Sequence, residues 1–125
     1  MPIAILAAVL LLAAPGEPDS ALHERLMSRV EQLVRLPDGA HPLGDYARVY
    51  TMLGKDNRGW AYQAKPVLGR PKVLAIYSAL DPPAGRRWES GLDLPTVMDG
   101  GCGVVTIVYD IEADRIDSVD CNSVG

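Results

Sequence analysis

The chain has 125 residues, with 12 Lys and Arg against 16 Asp and Glu, two Cys, two His, two Trp, five Tyr and no Phe. That length holds one compact domain, and 48% hydrophobic with 22% charged residues is a folding composition, not a disordered one. A net charge of −4 argues against nucleic acid as a partner, two cysteines exclude a four-thiolate zinc site or an iron–sulfur cluster, and no cofactor is expected.

Residues 1–16 carry no charge, and 3–14 is an unbroken apolar run. As a helix that run spans roughly 18 Å, well short of the ~30 Å hydrocarbon core. A signal-peptide h-region fits it and a membrane span does not. Ala14 and Gly16 place small residues at −3 and −1 for cleavage after Gly16, and no cysteine is present there for a lipoprotein anchor. The n-region departs from the usual pattern in having no Lys or Arg. The expectation is export to the periplasm or the medium, with 1–16 removed and 17–125 left as a single α+β domain without a membrane span.

Leu22, Leu26, Val30, Leu33 and Val34 follow i, i+4, i+8, i+11, i+12, which is one stripe of an amphipathic helix. Asp19 or Ser20 can cap it, and Pro37, Asp38 and Gly39 stop it. Glu31 and Arg35 are spaced as an i,i+4 pair on its solvent side. Such a helix needs a surface to lie against.

The remainder reads as strands. Residues 46–53 alternate in polarity and end in a polar, glycine-flanked turn, so 60–65 is expected to return as a hairpin partner. A third strand follows at 72–79, before the breaker Asp81, Pro82, Pro83. The stretch 86–101 reads as an irregular loop crossing the sheet edge. Residues 104–109 are aliphatic on both faces and belong in the sheet interior, and 115–121 returns as the last strand. The predicted architecture is an N-terminal amphipathic helix on a four- or five-stranded, mostly antiparallel sheet.

Cys102 and Cys121 flank the last hairpin, and an even pair in an exported chain reads as a disulfide. A turn at 111–114 sets Val104 opposite Cys121 and leaves Cys102 two residues out of register. A tighter turn, or a bulge at Gly103, brings the two together.

Other constellations are weaker. Asp110, Glu112 and Asp114 resemble the start of a calcium loop, but Arg115 and Cys121 stand where glycine and a bidentate glutamate are required. A solvated acidic hairpin tip is the plainer reading. The glycines at 100, 101 and 103 suit an anion nest less well than close packing beside a disulfide. His23 and His41 read as surface residues, and no metal is expected. No nucleophile elbow is present, and Asp93 with Asp99 is the carboxylate pair open to hydrolase chemistry.

The aromatic residues offer the best candidate surface. Tyr46, Tyr50, Trp60, Tyr62 and Tyr77 all fall on predicted strands, with Arg48 between the first two. The helix covers one sheet face, so the other is free to present an aromatic patch, extended by Arg86, Arg87 and Trp88. Aromatics give large contact area at low entropic cost. The competing account is ordinary core packing with hydroxyls at the rim.

Three segments together, the early Tyr-Ala-Arg-Val-Tyr at 46–50, Asp-Gly-Gly-Cys-Gly running into the strand to Asp110, and Ser-Val-Asp-Cys-Asn at 118–122, resemble small signal-bearing bacterial exported proteins of unknown function. The resemblance implies export and a paired Cys102 and Cys121, and it transfers no catalytic residue and no ligand. The expected function is a non-catalytic binding module with a protein partner in the envelope, such as a hydrolase being inhibited. The alternatives are a self-associating structural protein of the envelope and, after that, a small carboxylate-dependent hydrolase.

Overall fold

The structure, a computed structural model, describes residues 18–53, 71–80, 84–89 and 100–123. Helix α1 spans Asp19–Leu33, and its apolar stripe buries Leu26, Met27 and Val30. No side chain caps its start. Pro18 is the N-cap, with φ preset at −63°, and its carbonyl accepts the N–H groups of Ala21 and Leu22. The expected cap by Asp19 or Ser20 is thereby displaced, and Asp19 sits in the first turn, where its charge still suits the helix dipole. Val34 is already extended, three residues ahead of Pro37, and the helix ends there.

Five strands follow in the described residues, β1 (Ala47–Leu53), β2 (Lys72–Ser78), β3 (Gly85–Trp88), β4 (Val104–Asp110) and β5 (Arg115–Cys121). They form one mixed sheet in the order β3-β1-β2-β4-β5. The pairs β1/β2, β2/β4 and β4/β5 are antiparallel, and β1/β3 is parallel. Strands β2 and β4 are buried at every residue, which is why both read as nearly continuous apolar runs.

One expectation needs correction here. The stretch around Arg86 is not wholly irregular, because Gly85–Trp88 pairs with β1. Its Gly-Arg-Arg-Trp sequence has no apolar alternation, since backbone hydrogen bonds to β1 hold it more than a buried face does. The anticipated β1 partner at 60–65 lies outside the described residues, and both flanks of 47–50 are taken by β2 and β3.

The sheet has two apolar faces. Val73, Ala75, Tyr77, Val105, Ile107 and Tyr109 pack with Leu26, Met27 and Val30 of the helix. On the opposite face Val49, Leu53, Leu74, Ile76, Val104 and Val108 form a second buried cluster.

The C-terminal hairpin turns at 111–114 and pairs Asp110 with Arg115, as the sequence suggests. A bulge then makes Asp117 an extra residue between the pairs Val108/Ser118 and Tyr109/Ile116, so Cys121 faces Val105. Cys102 reaches Cys121 by another route, the 3-10 turn Gly101–Gly103 ahead of β4, which closes the disulfide at a Cα–Cα distance of 4.6 Å. Glycine is required at this turn. Gly100 has φ +106°, and a Cβ there would stand 2.8 Å from the Leu80 side chain.

The hairpin tip is not a solvated acidic cluster. Asp110 is buried, and Asp114 accepts hydrogen bonds from Arg29 Nε at 2.9 Å, Arg29 Nη2 at 2.6 Å and Tyr109 Oη at 2.6 Å. The Arg29 hydrogen bonds hold the Asp114 carboxyl below its ordinary range. A depressed carboxyl stabilises the fold above the unfolded value of about 4 and loses that contribution as pH falls through the folded value. Urea midpoints of wild type and Asp114→Asn are therefore expected to differ at pH 7 and to converge below pH of about 4. A gap that stays constant with pH would remove the ion pair as its cause.

Candidate functional site

The alternation that sets Tyr46, Arg48 and Tyr50 on one sheet face is present, but that face is the one α1 covers. Tyr46, Tyr50, Tyr77 and Tyr109 are each 0% exposed and belong to the helix-side core. The open aromatic patch expected from Tyr46, Arg48 and Tyr50 is thus not formed. These rings carry the largest apolar area on and beside β1, β2 and β4, and burying them against the helix stripe removes most surface from water.

Each buried hydroxyl has a partner. Tyr46 Oη donates to the Cys102 carbonyl at 2.6 Å and accepts the His41 N–H at 3.0 Å, which ties the disulfide turn to the start of the sheet. Tyr50 Oη donates to Glu31 Oε2 at 2.7 Å and lies 2.5 Å from Tyr77 Oη. Burial pushes both Tyr50 and Tyr77 well above the ordinary phenol range, so neither supplies a phenolate nucleophile near neutral pH.

Glu31 is the hub of this region. Besides Tyr50 it accepts from Arg48 Nε at 3.1 Å and pairs with Arg86 Nη1 at 3.2 Å. Arg48 also donates to the carbonyls of Leu43 and Tyr46, and Arg86 donates to Glu24 at 2.7 Å and Ser28 at 3.0 Å. Glu31 therefore faces the sheet, and the solvent-side pairing with Arg35 is corrected. Sequence reading missed this cluster. Glu24, Ser28 and Glu31 at i, i+4, i+7 are a polar stripe beside the apolar one, and that spacing was its available signal.

On β3, Arg86 and Trp88 point to the helix side. The Trp88 ring stacks on His23 with centroids 4.0 Å apart and planes within 3°. Arg87 points the other way, 57% exposed, and pairs with Glu89 at 2.7 Å. Gly85 N–H donates to the Tyr46 carbonyl and Glu89 N–H to the Tyr50 carbonyl. In a parallel ladder this alternation turns residues 85, 87 and 89 toward β1 and aims the N–H and C=O groups of Arg86 and Trp88 outward. Among the described residues no strand pairs with that edge.

The structure thus brings Arg86, Arg87, Trp88 and His23 together at one edge and sends Tyr46 and Tyr50 to the core. Trp60, Tyr62, Asp93 and Asp99 lie outside the described residues. A depression lined by Glu24, Arg25, Ser28, Arg29 and Gln32 lies on the helix flank nearby. Among the described residues no group of three or more His, Cys, Asp or Glu is placed to hold a metal ion.

Together these features define an α+β protein in which a helix covers one face of a mixed five-stranded sheet and is pinned to it by an Arg–Glu–Arg cluster. No family model, no curated protein and no solved structure matches the chain.

Proposed function

We propose that the chain is a non-catalytic exported binding module, and that its partner is a protein of the envelope laying an extended segment along β3. The outward backbone of Arg86 and Trp88 is the observation that carries this reading. Strand addition takes its affinity from main-chain hydrogen bonds and its specificity from flanking side chains. Here those side chains are held before binding, Arg86 by Glu24, Ser28 and Glu31, and Trp88 by His23. Such ordering lowers the entropic cost of association. The apolar run at 3–14 and the Cys102–Cys121 disulfide support an oxidising, extracytoplasmic setting.

The test is affinity capture from an envelope extract with oxidised bait, followed by hydrogen exchange on the purified complex. Arg87→Glu is expected to weaken capture by about tenfold or more, and Asp120→Lys on the opposite edge strand β5 to leave it intact. The amides of Arg86 and Trp88 should gain protection in the complex. Equal capture by both variants, or protection elsewhere, overturns the reading. A mass that rises with protein concentration in light scattering, with no foreign partner, replaces it with a self-associating structural role through the edge strands.

A further inference from the structure

Lys72 opens β2 with its side chain 5% exposed, on the sheet face away from the helix. Its cross-strand neighbour on β4 is Asp110, whose carboxylate is 1% exposed and lies 3.3 Å from Nζ. Nζ is also in direct contact with Oδ2 of Asp117, which reaches over from β5 because it is the extra residue of the bulge. A primary amine and two carboxylates from three adjacent strands thus converge, with the amine and Asp110 almost fully buried and the Asp117 side chain 23% exposed. Holding an ammonium and carboxylates out of water is costly. Condensing the amine with Asp117 removes the ammonium and one carboxylate and leaves the Asp110 carboxylate, held by the Ala113 N–H, as the remaining buried charge.

We propose that Lys72 and Asp117 are joined by an intramolecular isopeptide bond, with Asp110 as the proton carrier that forms it. The Lys72 ammonium gives one proton to the Asp110 carboxylate, and the freed amine attacks Cγ of Asp117, making the C–N bond. The C–Oδ2 bond then breaks. The proton held by Asp110 and a second amine proton leave with that oxygen as water, and Asp110 returns to its carboxylate form. Nothing is oxidised or reduced, and no co-reactant is needed. Arg115 Nε, 3.4 Å from the other oxygen of Asp117, is placed to stabilise the charge that develops there in the tetrahedral intermediate.

Asp117 is the acceptor and Asp110 the carrier because of how each carboxylate is held. Asp110 is fixed through Oδ1 by the Ala113 N–H at 3.0 Å, whereas Asp117 has Arg115 Nε at its other oxygen, where an oxyanion would form. Fixed proximity of this kind is what lets an otherwise sluggish amide condensation proceed. The bond would span β4 and tie β5 near its start to β2, while the disulfide ties β5 at its end. An edge strand would then be anchored covalently at both ends.

The decisive measurement is the denatured intact mass of the oxidised protein. The expected value is one water below the mass of the disulfide-bonded chain, unchanged by thiol reductants apart from opening the disulfide. Tandem mass spectrometry should find one branched peptide joining residues 72 and 117. Lys72→Arg and Asp110→Asn are expected to show full mass, with circular dichroism confirming that they fold. Asp117→Asn should give the same cross-linked product by losing ammonia instead of water. Full mass in the folded wild-type protein overturns the proposal whether or not the variants fold. So does a lost water that maps to a cyclic imide at Asp38-Gly39 or Asp99-Gly100.

Discussion

Glu31→Ala is expected to destabilise the domain by about 2–4 kcal/mol, the largest effect of any single polar substitution on the helix. Its carboxylate is where Tyr50, Arg48 and Arg86 converge. Removing it leaves two guanidinium groups facing one another at the helix–sheet boundary and takes away the acceptor of a buried hydroxyl. The side chains of Arg48 and Arg86 are 13% and 25% exposed, so water recovers part of their solvation and keeps the cost below that of a sealed ion pair. Glu31→Gln keeps an acceptor for Tyr50 but not the charge, and should fall between wild type and Glu31→Ala. Urea unfolding of the three proteins checks this ordering. A loss of less than about 0.5 kcal/mol, ordinary for a surface site, would mean that the cluster contributes nothing net.

Replacing both cysteines by alanine is expected to cost about 3 kcal/mol, because the bridge closes a loop with a sequence separation of 19 in the unfolded chain. A shift of that size lowers the thermal midpoint by on the order of 10 °C. The effect should not be confined to the hairpin. Tyr46 donates to the Cys102 carbonyl, so loosening the Gly101–Gly103 turn also releases the start of β1. Hydrogen exchange on the double variant should accelerate both in β5 and around His41 and Tyr46. Exchange that accelerates in β5 alone would show that the tyrosine tether does not transmit the loss. If the isopeptide bond is present, the start of β5 near Asp117 should stay protected while its end near Cys121 opens.

The Glu31 variants also bear on the binding surface, since Arg86 sits between Glu31 and the outer edge of β3. Losing Glu31 should leave the edge backbone in place but free the Arg86 side chain. Weaker capture of a partner by a folded Glu31→Gln protein would then measure how much the prior ordering of that edge contributes.

Local pattern determined much of this protein directly. The 22, 26, 30, 33 spacing marked the helix and its buried face, because a 3.6-residue period admits one apolar stripe. The aliphatic run at 104–109 marked an interior strand, because only a strand covered on both faces has apolar residues at successive positions. The turn at 111–114 followed from charge and the pairing of Asp110 with Arg115. Tertiary structure alone decided which face of the sheet the helix would cover. Alternation assigns Tyr46, Arg48 and Tyr50 to one side but does not say whether that side meets helix or solvent. The β3 strand, the bulge at Asp117 and the folding back of Cys102 were illegible for a related reason. Each arises from a partner distant in sequence, and no local propensity records a hydrogen bond or a contact supplied by residues tens of positions away. The Glu31 cluster and the Lys72, Asp110, Asp117 triad belong to the same group. Each charged residue is unremarkable in its own segment and acquires a role only when separate elements close around it.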